Sequence, residues 1–353
     1  MPALQRPEPP AALIEALKAA NVPVESFADA CAACEDACDD HDEDLQYPSG
    51  FEVDLDSQML GELKPYGRQI LVSTGKSDWI REVTDDDKSI PGLVKAEYEK
   101  VEKANGGAGK DGLFAKLGNK VFGSGASAQK GKEVEVPGVH PSAANPPPDT
   151  AVSSRLSILS ASFISSSHHG HRESVISLPD FKVINEVEAT SASVEELVKR
   201  YLEPSIGRAG SSVVKGELQS WPLPYNCFHH HLEKHGLHVD ERGDDLAHGP
   251  PIEEWEGTEE EKEVRLRETL QGVKTDGGSV GLFKISHIGG HRYAGNVILY
   301  FPNGTSVWFG RVTPADVGVI VDRTIMQGKI IPELLRGGLG LSGKNGPKGV
   351  LDW

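Results

Sequence analysis

The chain has 353 residues, of which 38% are hydrophobic and 25% are charged, and its formal net charge at pH 7 is −17. Nucleic-acid phosphates and anionic membrane surfaces both require clustered Lys and Arg, so this charge argues against either partner. No stretch approaches the about 18 apolar residues of a membrane-spanning helix. The N-terminus lacks the positive start and apolar core of a signal peptide, which predicts a soluble intracellular protein.

The N-terminal half predicts a short helix, an acidic Cys-containing segment and then a module of strands and helices. The helix is expected over residues 11–20, and the acidic run covers residues 33–44. The alternation and composition of the following apolar runs predict further elements. These are strands near residues 70–72, 155–163 and 174–187, a helix over 90–103, and a helix over 193–201 with Ser193 as its N-cap.

A change of composition separates the predicted helix over 90–103 from the predicted strand near residues 155–163. Residues 104–150 are rich in Gly, Ala, Lys, Ser and Pro and end in NPPPD. Such a stretch buries too little apolar surface to offset the entropy of ordering it. We therefore expect a disordered insertion, because strand-like sequence resumes after it.

The C-terminal part predicts an alternation of helices and strands that ends in a β-hairpin and a helix. PNG lies between two apolar runs, residues 296–302 and 305–312, and this pattern is typical of a hairpin. Thr313 and Pro314 then begin a helix as N-cap and first helical residue. The other predicted elements are helices over 228–235 and 253–273, a strand beginning at 237–239, and a buried strand over 279–285. The order β-α-β-α-β-β-α predicts an α/β sandwich with a mixed sheet.

Two histidines four residues apart follow the buried strand directly. His287 and His291 belong to SHIGGH, and the pair Gly289-Gly290 between them disfavours a helix. A Gly-rich loop lets the backbone wrap around a small ligand with both imidazoles turned inward. The alternative is a pair of loop histidines without a ligand. Because the loop joins a buried strand to a hairpin, we favour a functional site, and imidazole is a good ligand for zinc and iron.

Cysteines offer a second candidate site near the N-terminus. Cys31, Cys34 and Cys38, with His41 behind them, have a spacing that could hold zinc or a cluster. A second CxxC is lacking, and acidic neighbours raise thiol pKa values, so a tail with reduced thiols is the alternative. The fourth cysteine, Cys227, stands alone. Four cysteines in a chain of this length do not indicate a disulfide framework.

Other motifs carry no assignment. STGKS at residues 73–77 lacks the upstream glycine of a phosphate-binding loop, and no GxSxG nucleophile motif is present. No coherent pair of carboxylates indicates a glycosidase. The histidines at 229–231 are interpreted as one face of a solvated helix, and those at 168–171 as part of a Ser-rich loop. A hydrolase therefore has no positive support, and whether the chain is an enzyme stays open.

Several segments together resemble the fungal sucrase/ferredoxin-like family. They are LGELKPYGRQILVSTGKSDW (60–79), PDFKVI (179–184), WPLPY (221–225), GPPIEEWEGTEEE (249–261), SHIGGHRYAGNVILYFPNGTSVWFGRVTP (286–314) and IIPELLRGGL (330–339). The resemblance implies two thioredoxin-like modules with mixed sheets, the C-terminal one similar to thioredoxin-like ferredoxins. It implies an N-terminal segment 1–44, modules at 45–204 and 218–342, and a tail at 343–353.

The resemblance also implies a cofactor. The family's C-terminal domain holds a [2Fe–2S] cluster through two cysteines and two histidines, and the histidines correspond to His287 and His291. The family's cysteine-bearing loop and one strand are missing here between Tyr225 and Phe228, which leaves Cys227 as a residual ligand candidate. A [2Fe–2S] cluster normally needs four protein ligands.

Three hypotheses follow. The first is an iron–sulfur electron-transfer or redox-sensing protein of the cytoplasm, or alternatively of the mitochondrion, with a redox partner protein. The second is a non-catalytic thioredoxin-like scaffold that binds a protein partner. The third is a zinc site formed by Cys31, Cys34 and Cys38.

Overall fold

A computed structural model of the chain describes residues 8–33, 53–104, 136, 139–140, 153–167, 169–211, 213–223, 236, 238–243, 249–271 and 279–341. The strands are β1 (Arg68–Ser73), β2 (Val139–His140), β3 (Leu156–Ala161), β4 (Arg172–Leu178), β5 (Lys182–Glu188), β6 (Gln219–Pro222), β7 (His238–Asp240), β8 (Ser279–Gly281), β9 (Val297–Tyr300), β10 (Ser306–Phe309) and β11 (Leu335–Leu339). The α-helices are α1 (Ala11–Ala19), α2 (Phe27–Ala32), α3 (Ile90–Ala104), α4 (Ser191–Leu197), α5 (Glu259–Gln271) and α6 (Val317–Val319). Helices α4 and α6 continue as π-helical turns (Val198–Leu202 and Ile320–Ile325).

The largest sheet in the described residues has five strands in the order β3-β1-β4-β5-β6. Strands β1 and β3 are parallel, and the other neighbours are antiparallel. Side chains alternate between the two faces of a strand. Ile70 and Val72 of β1 therefore face a core formed with α3 and α4, whereas Leu71 faces a second core that includes Leu266 of α5.

The C-terminal part is divided between two further sheets in the described residues. One has the order β2-β11-β10-β9, in which β2 is parallel to β11 and the other pairs are antiparallel. The other contains the parallel pair β7 and β8. The predicted α/β class with mixed sheets is confirmed, and the described strands close no barrel. The strand that the family resemblance implies to be missing would lie near Tyr225–Phe228, outside the described residues.

The four-stranded sheet shares its core with the N-terminal helices. Leu17 of α1 and Ala30 of α2 are buried against Phe309 of β10 and Ile320, and Val24 forms a parallel bridge with Ile330. The segment predicted as a separate N-terminal region is thus packed on the C-terminal sheet. The division into modules remains a proposal.

Part of the predicted insertion is also ordered. Strand β2 pairs with β11, and Val136 is 3% exposed in the core of the same sheet. The predicted insertion therefore contains residues that complete the C-terminal sheet. Its remaining residues, 105–135, 137–138 and 141–150, lie outside the described part.

Several predicted boundaries need correction. Thr190, not Ser193, caps α4: its hydroxyl accepts a hydrogen bond from the amide of Ser193, whose own hydroxyl accepts one from the amide of Glu188. The predicted helix over 253–273 is a 3₁₀ turn (Ile252–Glu254) and then α5, separated around Gly257, whose φ of +110° breaks the helix. The predicted strand over 279–285 is reduced to β8 and one bridging residue, Ile285.

A buried charge cluster lies in the PDFKVI turn between β4 and β5. Asp180 is 2% exposed and accepts hydrogen bonds from Arg68 Nε at 2.8 Å and from the hydroxyl of Ser177 at 2.9 Å. Lys182 is fully buried, and its Nζ donates to the carbonyl of Arg208 at 2.6 Å. Arg208 is itself 4% exposed. One buried carboxylate therefore stands among three buried or nearly buried cations.

A chain of hydrogen bonds joins the five-stranded and four-stranded sheets. Trp308 Nε1 donates to the hydroxyl of Tyr66 at 3.1 Å, and the hydroxyls of Tyr66 and Tyr300 lie 2.6 Å apart. The Tyr300 hydroxyl donates to Gln69 Oε1 of β1 at 2.6 Å. Burial raises the pKa of both tyrosines, so both stay protonated as donors at neutral pH.

Replacing Tyr300 with Phe is expected to lower the free energy of unfolding by about 2 kcal/mol, because the Tyr66 hydroxyl and Gln69 Oε1 lose their partners. Urea unfolding measures this loss. Tyr98→Phe is the matched control, since the Tyr98 hydroxyl makes one hydrogen bond, to the carbonyl of Ser154 at 2.6 Å. Equal losses in the two variants would contradict a connecting role for the chain.

Candidate functional site

The loop between β8 and β9 is shaped by its glycines. Gly289 and Gly290 have φ values of +84° and +72°, in the left-handed region that favours glycine. The following residues form a 3₁₀ turn (His291–Tyr293), so the loop contains no α-helix, as the Gly-Gly pair predicts. This bend brings the two histidine side chains together.

His287 and His291 lie ring against ring. Their centroids are 4.3 Å apart and their planes differ by 22°. The His287 side chain is 24% exposed, and its Nδ1 is 3.6 Å from Oε1 of Glu82. The other ring nitrogen of His287, Nε2, is buried and has no hydrogen-bond partner.

This environment assigns different roles to the two nitrogens of His287. Histidines that bind a metal commonly direct one nitrogen at a carboxylate and coordinate through the other. In the tautomer that carries its proton on Nδ1, towards Glu82, the lone pair of Nε2 would be available to coordinate. A buried imidazole nitrogen without a partner is costly unless a ligand satisfies it.

The loop is fixed to the five-stranded sheet by the residues that precede it. Ser286 donates its amide to the carbonyl of Ser160 at 2.8 Å, and its hydroxyl accepts from the amide of Ser160 at 3.0 Å. Ser162 donates its amide to the carbonyl of Lys284 at 2.9 Å, and its hydroxyl accepts from the amide of Lys284 at 3.0 Å. The segment 284–286 thus adds to the outer edge of β3, and His287 directly follows this attachment to the five-stranded sheet.

A buried arginine supports the loop from the C-terminal sheet. Arg336 of β11 is 3% exposed; its Nη2 donates to the carbonyl of Gly289 at 3.2 Å and its Nη1 donates to Asn296 Oδ1. A Cβ atom on Gly290 would clash with the guanidinium, so this position requires glycine. The ring of Tyr293 lies 5.5 Å from Arg336 Cζ.

The other predicted ligands are not brought to this site. Cys227, Cys34, Cys38, His41 and the histidines at 229–231 lie outside the described residues. Cys31 lies on α2, partly buried against the core of the four-stranded sheet. No group of three or more His, Cys, Asp or Glu side chains that could hold a metal ion occurs in the described part of the chain.

The described residues therefore fit one half of the ligand set that the family resemblance implies. Two adjacent imidazoles, one with a buried, unpartnered nitrogen, suit the histidine half of a His₂Cys₂ cluster site. The cysteines that the resemblance implies have no counterpart beside these rings in the described residues, and Cys227, the single cysteine C-terminal to Cys38, lies outside them.

Sequence patterns missed three residues that act on this site. Glu82 and Asn296 had no recognisable signal, since both are polar residues in loops. Arg336 had one: it interrupts the apolar and glycine run LLRGGLG at residues 334–340. An arginine in such a run indicates a buried charge with specific hydrogen bonds.

None of the helices in the described residues combines the length and apolar character needed to cross a membrane.

Known proteins match the chain at different levels. A profile of the family described as sucrase/ferredoxin-like matches residues 59–337. A 70-residue segment is 51% identical to "Altered inheritance of mitochondria protein 32" of Debaryomyces hansenii, covering 19% of this chain and 25% of that protein. The protein of the same name from Meyerozyma guilliermondii is 62% identical over 55 residues, 15% of this chain and 19% of the relative. The relative from Saccharomyces cerevisiae is 42% identical over 66 residues, 16% of this chain and 21% of its own length.

The matched segments thus span a quarter or less of these relatives. No solved structure matches the chain. The profile match covers most of the chain, including both larger sheets and the histidine loop. The chain therefore belongs to the sucrase/ferredoxin-like family.

Proposed function

We propose that this protein is an iron–sulfur redox protein in which His287 and His291 bind one iron of a [2Fe–2S] cluster. Cys227 and its neighbouring segment are the proposed source of the remaining coordination. A redox partner protein of unspecified identity would exchange electrons with the site. The family description supports an iron–sulfur link at the coarser level.

The observation that carries the proposal is the unpartnered Nε2 of His287 beside a stacked second imidazole. Two histidines on one iron must each direct a nitrogen at the same point. The two rings lie close together, at 4.3 Å between centroids, but they are stacked with planes 22° apart, so one ring would have to turn for both to coordinate. Glu82 beside Nδ1 would orient the ring and increase its basicity as a ligand.

A bound cluster would supply one-electron chemistry, and histidine ligation raises its potential relative to four-cysteine clusters. The chain's own contribution is to hold the rings in position. Segment 284–286 fixes the start of the loop on β3, and Arg336 bonds to Gly289 and Asn296 further along it. The chain thus holds both histidines close together on one supported loop, and coordination would also require one imidazole to turn out of the stack.

Anaerobically purified protein is expected to show visible absorbance, bound iron and sulfide, and an EPR signal after reduction. The double variant His287→Ala, His291→Ala should lose all three, because it removes the proposed histidine ligands. The matched control is His169→Ala with His171→Asn, a second histidine pair, placed in the Ser-rich loop. Asn suits position 171 because its φ is +71°.

Two outcomes would contradict the proposal. One is a wild-type protein that is colourless and free of iron after anaerobic purification. The other is a double variant that keeps its cluster. Retention of the cluster in the His169/His171 control shows that the loss is specific to the loop.

The second candidate is a non-catalytic thioredoxin-like scaffold that binds a protein partner. The small number of cysteines favours it, since Cys227 alone accompanies the C-terminal histidines. In that case the purified protein is colourless, and the double histidine variant still captures the wild-type partners. The compartment is part of the same proposal. The relatives' printed name concerns mitochondrial inheritance, which supports the mitochondrion over the cytoplasm.

A further inference from the structure

Arg336 is a buried cation without an anion. Its guanidinium is 3% exposed, its Nε has no hydrogen-bond partner, and no carboxylate of the described residues forms an ion pair with it. The charge of Glu62 acts on Arg336, but the ion pair of Glu62 is with Arg292, whose Nη2 lies 3.3 Å from Glu62 Oε2. Burying an unpaired charge is costly, so a protein retains one where it has a use.

The location of Arg336 indicates that use. Its two terminal nitrogens bond to Gly289 and Asn296, which lie on opposite sides of the His291–Tyr293 turn. A single guanidinium therefore spans the loop that carries the histidine pair. Its positive charge is buried and within hydrogen-bonding distance of that loop, and charges act strongly in a buried region of low dielectric.

We propose that Arg336 is a positioning residue that clamps the histidine loop, and that its charge stabilises the electron-rich state of whatever group the loop binds. The second half of this proposal rests on the proposed function. When one electron from a redox partner enters the bound group, the charge of the site becomes more negative by one, and no bond forms or breaks. The buried guanidinium then favours the reduced state.

Three variants separate the clamp from the charge. Arg336→Gln removes both, Arg336→Lys keeps the charge, and Asn296→Ala keeps the charge while removing one bond of the clamp. Arg292→Gln is the matched control, because Arg292 lies 5.0 Å from the same Tyr293 ring but its side chain is 53% exposed.

The first readout is hydrogen–deuterium exchange of the peptide covering residues 287–296, in the full chain as purified. Loss of a charged hydrogen bond is expected to speed exchange about tenfold in Arg336→Gln. Asn296→Ala should also exchange faster, and Arg292→Gln should match the wild type. Unchanged exchange in both Arg336→Gln and Asn296→Ala overturns the clamp.

The second readout is the reduction potential of the cluster-loaded protein. In Arg336→Gln we expect the ratio of reduced to oxidised protein, measured at one fixed solution potential, to fall about tenfold. This corresponds to a reduction potential lower by about 59 mV for one electron. Arg336→Lys and Asn296→Ala should keep the wild-type potential, although their loops exchange differently. An unchanged potential in Arg336→Gln overturns the role of the charge.

The two readouts keep the two proposals apart. A wild-type protein without a cluster overturns the proposed function and the role of the charge together, whereas the exchange measurement still decides the clamp. If Arg336→Gln does not fold, the reduction potentials of Arg336→Lys and Asn296→Ala test the role of the charge, because both variants keep it. A potential that falls in both would assign the effect to loop geometry and overturn the role of the charge.

Discussion

Replacing Asp180 with Ala is expected to lower the free energy of unfolding by about 3–5 kcal/mol, the usual cost of breaking a buried ion pair. The reason is that the Asp180 carboxylate offsets the charges of three buried or nearly buried cations. Arg68 bonds to Asp180 directly at 2.8 Å, and the charges of Lys182 and Arg208 also act on it. Without Asp180 the guanidinium of Arg68 loses its buried partner, and Lys182 loses a charge that favours its protonated form. Chemical denaturation followed by circular dichroism measures the loss.

The pKa of Asp180 reports the same balance. Burial alone would raise the pKa of this carboxyl, but the charges of Arg68, Lys182 and Arg208 lower it below its usual 3.8. A carboxyl with a lowered pKa stabilises the fold above its unfolded pKa, and this stability is lost as the pH falls through the folded pKa. The stabilising effect of Asp180 is therefore complete at neutral pH and lost under strongly acidic conditions.

Two companion variants sharpen the Asp180 test. Asp180→Asn keeps the side-chain shape and removes the charge, so a similar loss in Asn and Ala assigns the effect to charge. Glu195→Ala is the matched control, because Glu195 and Lys199 form an exposed ion pair on α4. Exposed pairs contribute little to stability. An Asp180→Ala variant as stable as Glu195→Ala would refute the shared-carboxylate account.

Lys182→Met is expected to change how stability depends on pH. Burial lowers the pKa of Lys182 from 10.5 to about 8, in spite of the opposing charge of Asp180. Between these two values the unfolded chain binds a proton that the folded chain does not, so stability rises with pH. Wild type should therefore gain about 2–3 kcal/mol relative to Lys182→Met between pH 7 and pH 10.

The measurement is the difference in unfolding free energy between wild type and variant at the two pH values, which cancels other titrating groups. Lys199→Met gives the contrasting control. The hydrogen bond to Glu195 raises the pKa of Lys199, so the sign of its pH dependence is opposite. A wild-type-to-Lys182→Met difference that is flat with pH would show that Lys182 keeps its proton in the folded chain.

Local sequence patterns predicted those elements whose apolar side chains repeat at the spacing of a helix or a strand. Residues 90–103 carry apolar side chains on one helical face, and α3 spans Ile90–Ala104. PNG between two apolar runs predicted the hairpin of β9 and β10. In both cases the elements that pair or pack are close in sequence.

Long-range pairing was beyond these patterns. Strand β2 has two residues and is recognisable only through its partner β11, about two hundred positions away. Strand β11 itself reads LRGGL, in which an arginine and two glycines hide the strand pattern. The association of α1 and α2 with the C-terminal sheet likewise depends on contacts between the ends of the chain.

The sequence likewise predicted the local part of the candidate site but not its distant partners. The glycine pair predicted a loop without an α-helix, and the structure brings the two histidine rings together. The inward orientation predicted for both imidazoles does not hold for His291, which is exposed. The partners of these rings come from distant positions: Glu82 from the loop after β1, and Arg336 from β11. No local pattern links residues that meet only in the folded chain.

The attachment of segment 284–286 to β3 has a consequence for protein quality control. Strand β3 ends the five-stranded sheet, and an uncovered edge strand is a template for intermolecular pairing and aggregation. The residues that cover it lead directly into His287. A chain that has not docked this segment thus has both a loose histidine pair and an aggregation-prone edge. Incompletely assembled molecules would therefore be removed by aggregation or proteolysis, and the soluble population would be enriched in chains whose histidine loop is in place.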